Sequence, residues 1–288
     1  MPSGLRIMTN LEAIYAHRQL SITNFRINKS MEKLSSGYRI NHAADDAAGL
    51  AVSEKFRTQI RGLEQAAKNV QDGISMIQTA EGGLEELHEM LHRMRVLSIQ
   101  AANETLTTSD RALIQLEIDQ LLSEIDRMQT SVNFNTLKLL TGSGWTDGTT
   151  NKGSFTFHVG SNYTQTLSVV VQSFSTSALN INIIGTSQGS ALTSRAGANS
   201  AIALLSTAIN RVSSQRAVLG AFQNRLEHTY NFINISRENQ LASESRIRDV
   251  DMAAEMVSYT KDQIIAQAGQ AMLVQANLRP QAVLQLFT

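Results

Sequence analysis

The sequence predicts a mainly α protein: a long antiparallel helical bundle or coiled coil built from both termini, with a small β-rich central region. Three observations carry that expectation. The only prolines are Pro2 and Pro280, so nothing between them imposes a proline break on a helix. Two apolar columns recur at seven-residue steps: Leu63, Val70, Ile77, Leu84, Leu91, and later Leu205, Val212, Leu219, Leu226, Ile233. A sustained repeat of that length marks helices packed along one seam. Between the columns, residues 141–190 turn to Gly, Ser, Thr and Asn, with alternations such as SFTFHV and LSVVV that read as strands.

The elements follow in order. Leu11, Ile14, Ile22, Phe25, Met31 and Leu34 recur at helical spacing, and Gly37 stands where a helix C-terminal glycine belongs. A polar connector, YRINHAADDAAG, leads into a helix expected from about Ala47 to Ala102, roughly 80 Å long at 1.5 Å per residue. Ser109 or Asp110 can cap the next helix, whose stripe is Ile114, Ile118, Leu121, Ile125 and Met128. Helix returns near Asn199, and a last amphipathic stretch uses Val257, Ile264, Ala271 and Leu278 before Pro280. The two seven-residue columns are expected to serve as the packing and assembly seam.

Composition narrows the function. The 25 basic and 25 acidic residues balance, leaving no electrostatic footprint for nucleic acid and no basic stripe for a membrane surface. Without cysteine there are no disulfides and no thiolate chemistry. The first twenty residues lack the apolar core of a secretory signal, and no apolar run is long enough to span a bilayer. By those signals alone the chain stays inside the cell.

One short stretch points to an enzyme. HEMLH places His88, Glu89 and His92 in the H-E-x-x-H pattern that can hold zinc between two imidazoles with a glutamate as general base. A helical wheel sets both histidines outside the seam, on a polar strip with Glu81, Glu85 and Arg95. There Glu85 is expected to pair with His88. In the extended zinc-protease pattern Arg95 stands where Gly belongs and Ser98 where His belongs. A solvated helix face accounts for the stretch better, so His88, Glu89 and His92 are rejected as metal ligands. No catalytic residue and no cofactor is expected. The adjacent Asp45 and Asp46 do not face each other on a helix, and GSGWTDGTTNKG lacks phosphate-loop spacing.

Several long stretches together resemble bacterial flagellin. RIMTNLEAIYAHRQL, KLSSGYRINHAADDAAGLAVSEKF and LHRMRVLSIQAANET are similar to its amino-terminal half. FHVGSNYTQTL, INRVSSQRAVLGAFQNRLEHT, ASESRIRDVDMAAEM and MLVQANLRPQAVLQLF are similar to its carboxy-terminal half. The likeness covers nearly the whole chain except roughly residues 1–5 and 142–195.

The resemblance implies a structural subunit that polymerises with its own copies into a helical flagellar filament for motility. It implies export through the flagellar type III channel without a cleaved signal, to an extracellular filament or, as in spirochaetes, a periplasmic one. By analogy residues 1–46 and 245–288 form an inner coiled-coil domain, and 47–244 an outer one that includes the β-rich segment. Expected partners are a secretion chaperone on the carboxy-terminal helix near Ala253 to Phe287, the filament cap and the hook-junction proteins. The vertebrate Toll-like receptor for flagellin would contact Arg93, Leu97 and Glu117. Ser and Thr of 141–194 are candidate O-glycan sites. The large variable insert common in the family is nearly absent, implying a thin, smooth filament, and Met8 is an alternative start. The competing readings are a hook–filament junction protein and a zinc metallopeptidase.

Overall fold

The computed structural model describes residues 9–142, 153–185 and 191–284. Its elements are helices α1 (Leu11–Ser36), α2 (Ala47–Ala101) and α3 (Thr108–Ser131), strands β1 (Asn133–Phe134), β2 (Leu137–Lys138), β3 (Gly153–His158) and β4 (Thr166–Val171), and helices α4 (Arg195–Arg248) and α5 (Met252–Leu284). Two short 3-10 turns, Asn182–Ile184 and Ala191–Thr193, precede α4. The strands make two separate antiparallel pairs, β1 with β2 and β3 with β4. The predicted mainly α class holds. The alternative start at Met8 and most of the GSGWTDGTTNKG loop lie outside the described residues.

Two compact units make up the chain: Ile60–Glu238, and Met1–Gln59 with Asn239–Thr288. In the first, all ten residues of the two seven-residue columns are buried in a single core. These columns therefore seal the chain's own interior, and contacts between copies must come from other side chains. Strand β4 alternates outward and inward, so Leu167, Val169 and Val171 face the core, with Phe155 opposite Val169 on β3. Two glycines on α2 let these segments come close. A Cβ on Gly73 would stand 3.1 Å from the Phe157 ring, and one on Gly83 2.8 Å from Val132.

Helix α3 differs from expectation at its start and in its facing. Its cap is Thr107, not Ser109 or Asp110: the Thr107 hydroxyl accepts from the Asp110 N–H while the Asp110 carboxylate accepts from the Thr107 N–H. Its buried stripe runs through Gln115, Ile118, Leu122, Ile125 and Gln129. Gln115 tolerates burial because its amide donates to Asp119 and to the Ile184 carbonyl, and its oxygen accepts from the Leu192 N–H.

In the terminal unit, α1 packs antiparallel on α5. The loops that follow α1 and α4 are tied by an antiparallel bridge between Tyr38 and Asp249. In it the Arg39 N–H donates to the Arg248 carbonyl at 2.7 Å and the Val250 N–H to the Gly37 carbonyl at 3.1 Å. Gly37 ends α1 at φ 75°, the left-handed geometry that glycine adopts without strain. Arg248 fastens the same clasp, its guanidinium 4.9 Å from the Tyr38 ring centre and 2.7 Å from Glu54.

Helix α5 does not stop before Pro280; its backbone stays helical to Leu284. Proline has no N–H, so the carbonyl four residues earlier, on Ala276, loses its helical donor. The Asn10 side chain supplies one, its amide donating to the Ala276 carbonyl at 2.8 Å. The oxygen of the same side chain caps α1 by accepting from the Ala13 N–H at 3.1 Å.

Candidate interaction surfaces

The apolar columns of α1 and α5 face outward. Leu11, Ile14, Ile22, Phe25 and Met31 on α1 are exposed, Phe25 to 69%, as are Val257, Ile264 and Leu278 on α5, Val257 to 68%. The seam between the helices is made instead mainly of small and polar residues, with Leu20, Ile27 and Leu273 interspersed. On α1 the least exposed positions are Ala13, Ala16, Leu20, Thr23, Ile27 and Ser30; on α5 they include Asp262, Ala266, Gly269, Leu273 and Ala276. Steps of three and four keep each series on one face. Small side chains let the helices approach closely, and Gly269 lies against Leu20.

Ion pairs fix the register. Lys33 pairs with Glu255 at 3.7 Å, and Arg26 lies 3.9 Å from the buried Asp262. Lys29 turns to the connector, 2.8 Å from Asp45. The Asp45 carboxylate also accepts from the His42 and Asn41 N–H groups. The Lys29 ammonium and then the His42 amide hold the Asp45 carboxyl down at about 2, while Asp45 pushes the Lys29 ammonium up. The Glu54 carboxyl is held low first by Arg248 and then by Arg57.

A second surface spans α2 and α3. Arg93 donates to Glu117 through Nε at 2.8 Å and Nη2 at 2.7 Å. Leu97, only 3% exposed, belongs to the core. Of the three receptor candidates, two are therefore brought together on the surface and the third lies inside. Val96 and Ile99 on α2, with Leu113 and Leu116 on α3, are exposed. Sequence reasoning passed over these four, although each is apolar and off the seam, which is the signal that could have found them.

The HEMLH histidines lie on α2 with their Nε2 atoms 2.9 Å apart and their rings nearly perpendicular. Glu85 does not pair with His88. It lies with Glu81 beside Arg216 of α4, at 3.6 and 3.7 Å, because a guanidinium is a stronger partner for carboxylates than a mostly neutral imidazole. Burial, then His92 and Arg216, keep the His88 imidazolium disfavoured. Among the described residues no three His, Cys, Asp or Glu side chains come together in a metal-binding group, so the third ligand of a zinc peptidase is not supplied. No described helix is long and apolar enough to cross a membrane.

Comparison with known proteins agrees with this architecture. The family model described as the bacterial flagellin N-terminal helical region matches residues 7–144, and that of the bacterial flagellin C-terminal helical region matches residues 202–287. A flagellar filament 33 kDa core protein of Treponema phagedenis is 48% identical over 280 residues, covering 96% of this chain and 98% of its own length. A flagellin of Bacillus subtilis is also 48% identical, covering 98% of this chain and 100% of its own length. A solved flagellar hook-associated protein from Vibrio parahaemolyticus shares the fold at TM-score 0.58 and 13% identity, over 71% of this chain and 100% of its own. Two family matches that take in both helical halves, and near-complete correspondence at 48% identity, lead to one conclusion: the chain belongs to the bacterial flagellins.

Proposed function

We infer that the chain is the structural, non-enzymatic subunit of a flagellar filament, a helical polymer of its own copies. The outward apolar columns of α1 and α5 carry this reading. Burying a Val, Ile or Phe side chain is worth about 1.5–3 kcal/mol, and at Phe25, Val257 and Ile264, which are two-thirds exposed, most of that gain is still to be realised. Heterologous contacts that do not close into a ring generate a filament. The hook-junction reading rests on a likeness of fold alone, whereas 48% identity joins the chain to a filament core protein. The peptidase reading has no support from the relatives.

Within that reading, residues 1–46 with 245–288 serve as the inner domain and 47–244 as the outer. Type III export delivers the subunit to an extracellular filament or, as in spirochaetes, a periplasmic one. The apolar face of α5 is the seat of a secretion chaperone before assembly, and the subunit meets the cap and hook-junction proteins at the filament's ends. Arg93 and Glu117 present a paired, exposed surface to a Toll-like receptor, while Leu97 sets its contour from beneath. Electron microscopy of the purified chain with seed fragments tests the function: filaments should grow and decorate. A chain that stays monomeric at high concentration, with both terminal helices protected from hydrogen exchange, would overturn it.

A further inference from the structure

We propose that His88 and His92 form a two-imidazole chelate for a square-planar or tetragonal divalent cation, copper(II) or nickel(II), on the solvated face of α2. The site is distinct from the peptidase arrangement, needs neither a third protein ligand nor a general base, and does not depend on filament assembly.

Proximity makes the chelate, and the affinity order of divalent ions for imidazole selects the metal. The two Nε2 atoms are 2.9 Å apart. That is a hydrogen-bond contact in which one ring donates to the other, and a single ion with metal–nitrogen bonds of about 2.0–2.1 Å can take the place of the shared proton. Copper(II) and nickel(II) lead that order, with water in the remaining positions. Whichever ring donates in the present contact, moving its proton to Nδ1 leaves two bare Nε2 atoms. Binding through Nε2 places the His88 proton on Nδ1, which is enclosed without a hydrogen-bond partner, so His88 is the weaker of the two ligands.

The surroundings admit a cation. His92 is exposed, so the site opens to solvent. Glu81, Glu85 and Glu89 outnumber the arginines on this strip, Arg216 and Arg95, and Arg216 already lies against two of the glutamates.

The test is calorimetric titration of the full chain with copper(II), nickel(II), zinc(II) and magnesium(II), with electron paramagnetic resonance of the copper complex. One copper per chain is expected, with a two-nitrogen hyperfine pattern that falls to one nitrogen in both His88→Asn and His92→Asn and vanishes in the double variant. Nickel should bind more tightly than zinc, and magnesium not at all. Unchanged circular dichroism of His92→Asn, which alters only an exposed side chain, separates loss of a ligand from loss of fold. A double variant with the wild-type isotherm, a single-nitrogen wild-type spectrum, or zinc bound more tightly than nickel would each overturn the proposal.

Discussion

Adjacent glycines in the middle of α2 should respond in opposite directions to the same substitution. Gly82 is exposed and a Cβ there meets nothing within 4 Å. Alanine in a helix interior is favoured over glycine by about 0.8–1 kcal/mol, so Gly82→Ala should stabilise by about that amount. Gly83 is buried, and its Cβ would stand 2.8 Å from Val132 Cγ2, 3.1 Å from Val132 Cγ1 and 3.2 Å from Leu140 Cδ1. Carbon contacts settle at about 3.5–4.0 Å, so Val132 must retreat by about 0.7 Å or more. Its β-branched side chain has little rotameric freedom with which to do so. Overpacking costs about 1–3 kcal/mol; set against the same gain in propensity, Gly83→Ala should be destabilising by up to about 2 kcal/mol. Urea unfolding of the monomer followed by circular dichroism reads both, as midpoints displaced in opposite directions with unchanged slope. If Gly83→Ala raises the midpoint as Gly82→Ala does, propensity alone governs and the packing of Val132 on α2 is wrong.

Asn10→Asp keeps the cap acceptor but removes the donor to Ala276, and should cost about 1–3 kcal/mol for the orphaned carbonyl. In a Pro280→Ala background, where an N–H again reaches Ala276, the cost should largely vanish, measured as filament melting in a double-mutant cycle; equal losses in both backgrounds would refute the link. Asp45 has a folded pKa lowered from 3.8 to about 2. Its contribution to stability is therefore present above about pH 4 and lost as pH falls toward 2. Asp45→Asn should flatten acid unfolding in that window, and carboxyl resonances titrating at the ordinary value would contradict it. Val257→Asp and Phe25→Asp should abolish seeded growth while leaving the unfolding of residues 60–238 unchanged; filaments growing at the normal rate would count against the outward columns as subunit contacts. Leu84→Asp should instead unfold that unit, seen as loss of its cooperative transition.

Where apolar residues were regular, the fold was legible. Leu63 to Leu91 and Leu205 to Ile233 were found by spacing alone, and all ten are buried. Legibility failed where burial is not greasy. Thr23, Ser30, Asp262, Ala266 and Ala276 lie in the α1–α5 seam, yet their types give no hydrophobic signal, so spacing alone did not locate that seam. Gln115 and Gln129 hid the true facing of α3 for the same reason. Pro280 read as a stop because the donor that replaces its missing N–H, on Asn10, lies 266 residues from the carbonyl it serves, that of Ala276. At the surfaces, spacing placed His88 and His92 on one strip, but only coordinates show their nitrogens meeting and Glu85 turned to Arg216.

The clasp at Tyr38 and Asp249 gives the terminal pair a direction. Joining Asn10 to Ala276 from an open chain means closing a loop of 266 residues, about 3 kcal/mol more in chain entropy than closing one of about ten. With the two loops already knotted, each next rung (Lys33 with Glu255, then Arg26 with Asp262) closes only a few residues more. Pairing thus zips away from the clasp, and unravelling runs back toward it. Amide exchange should slow steadily from the Asn10 rung to the Gly37 rung, leaving the Asn10 end of the pair as the part most in need of neighbours.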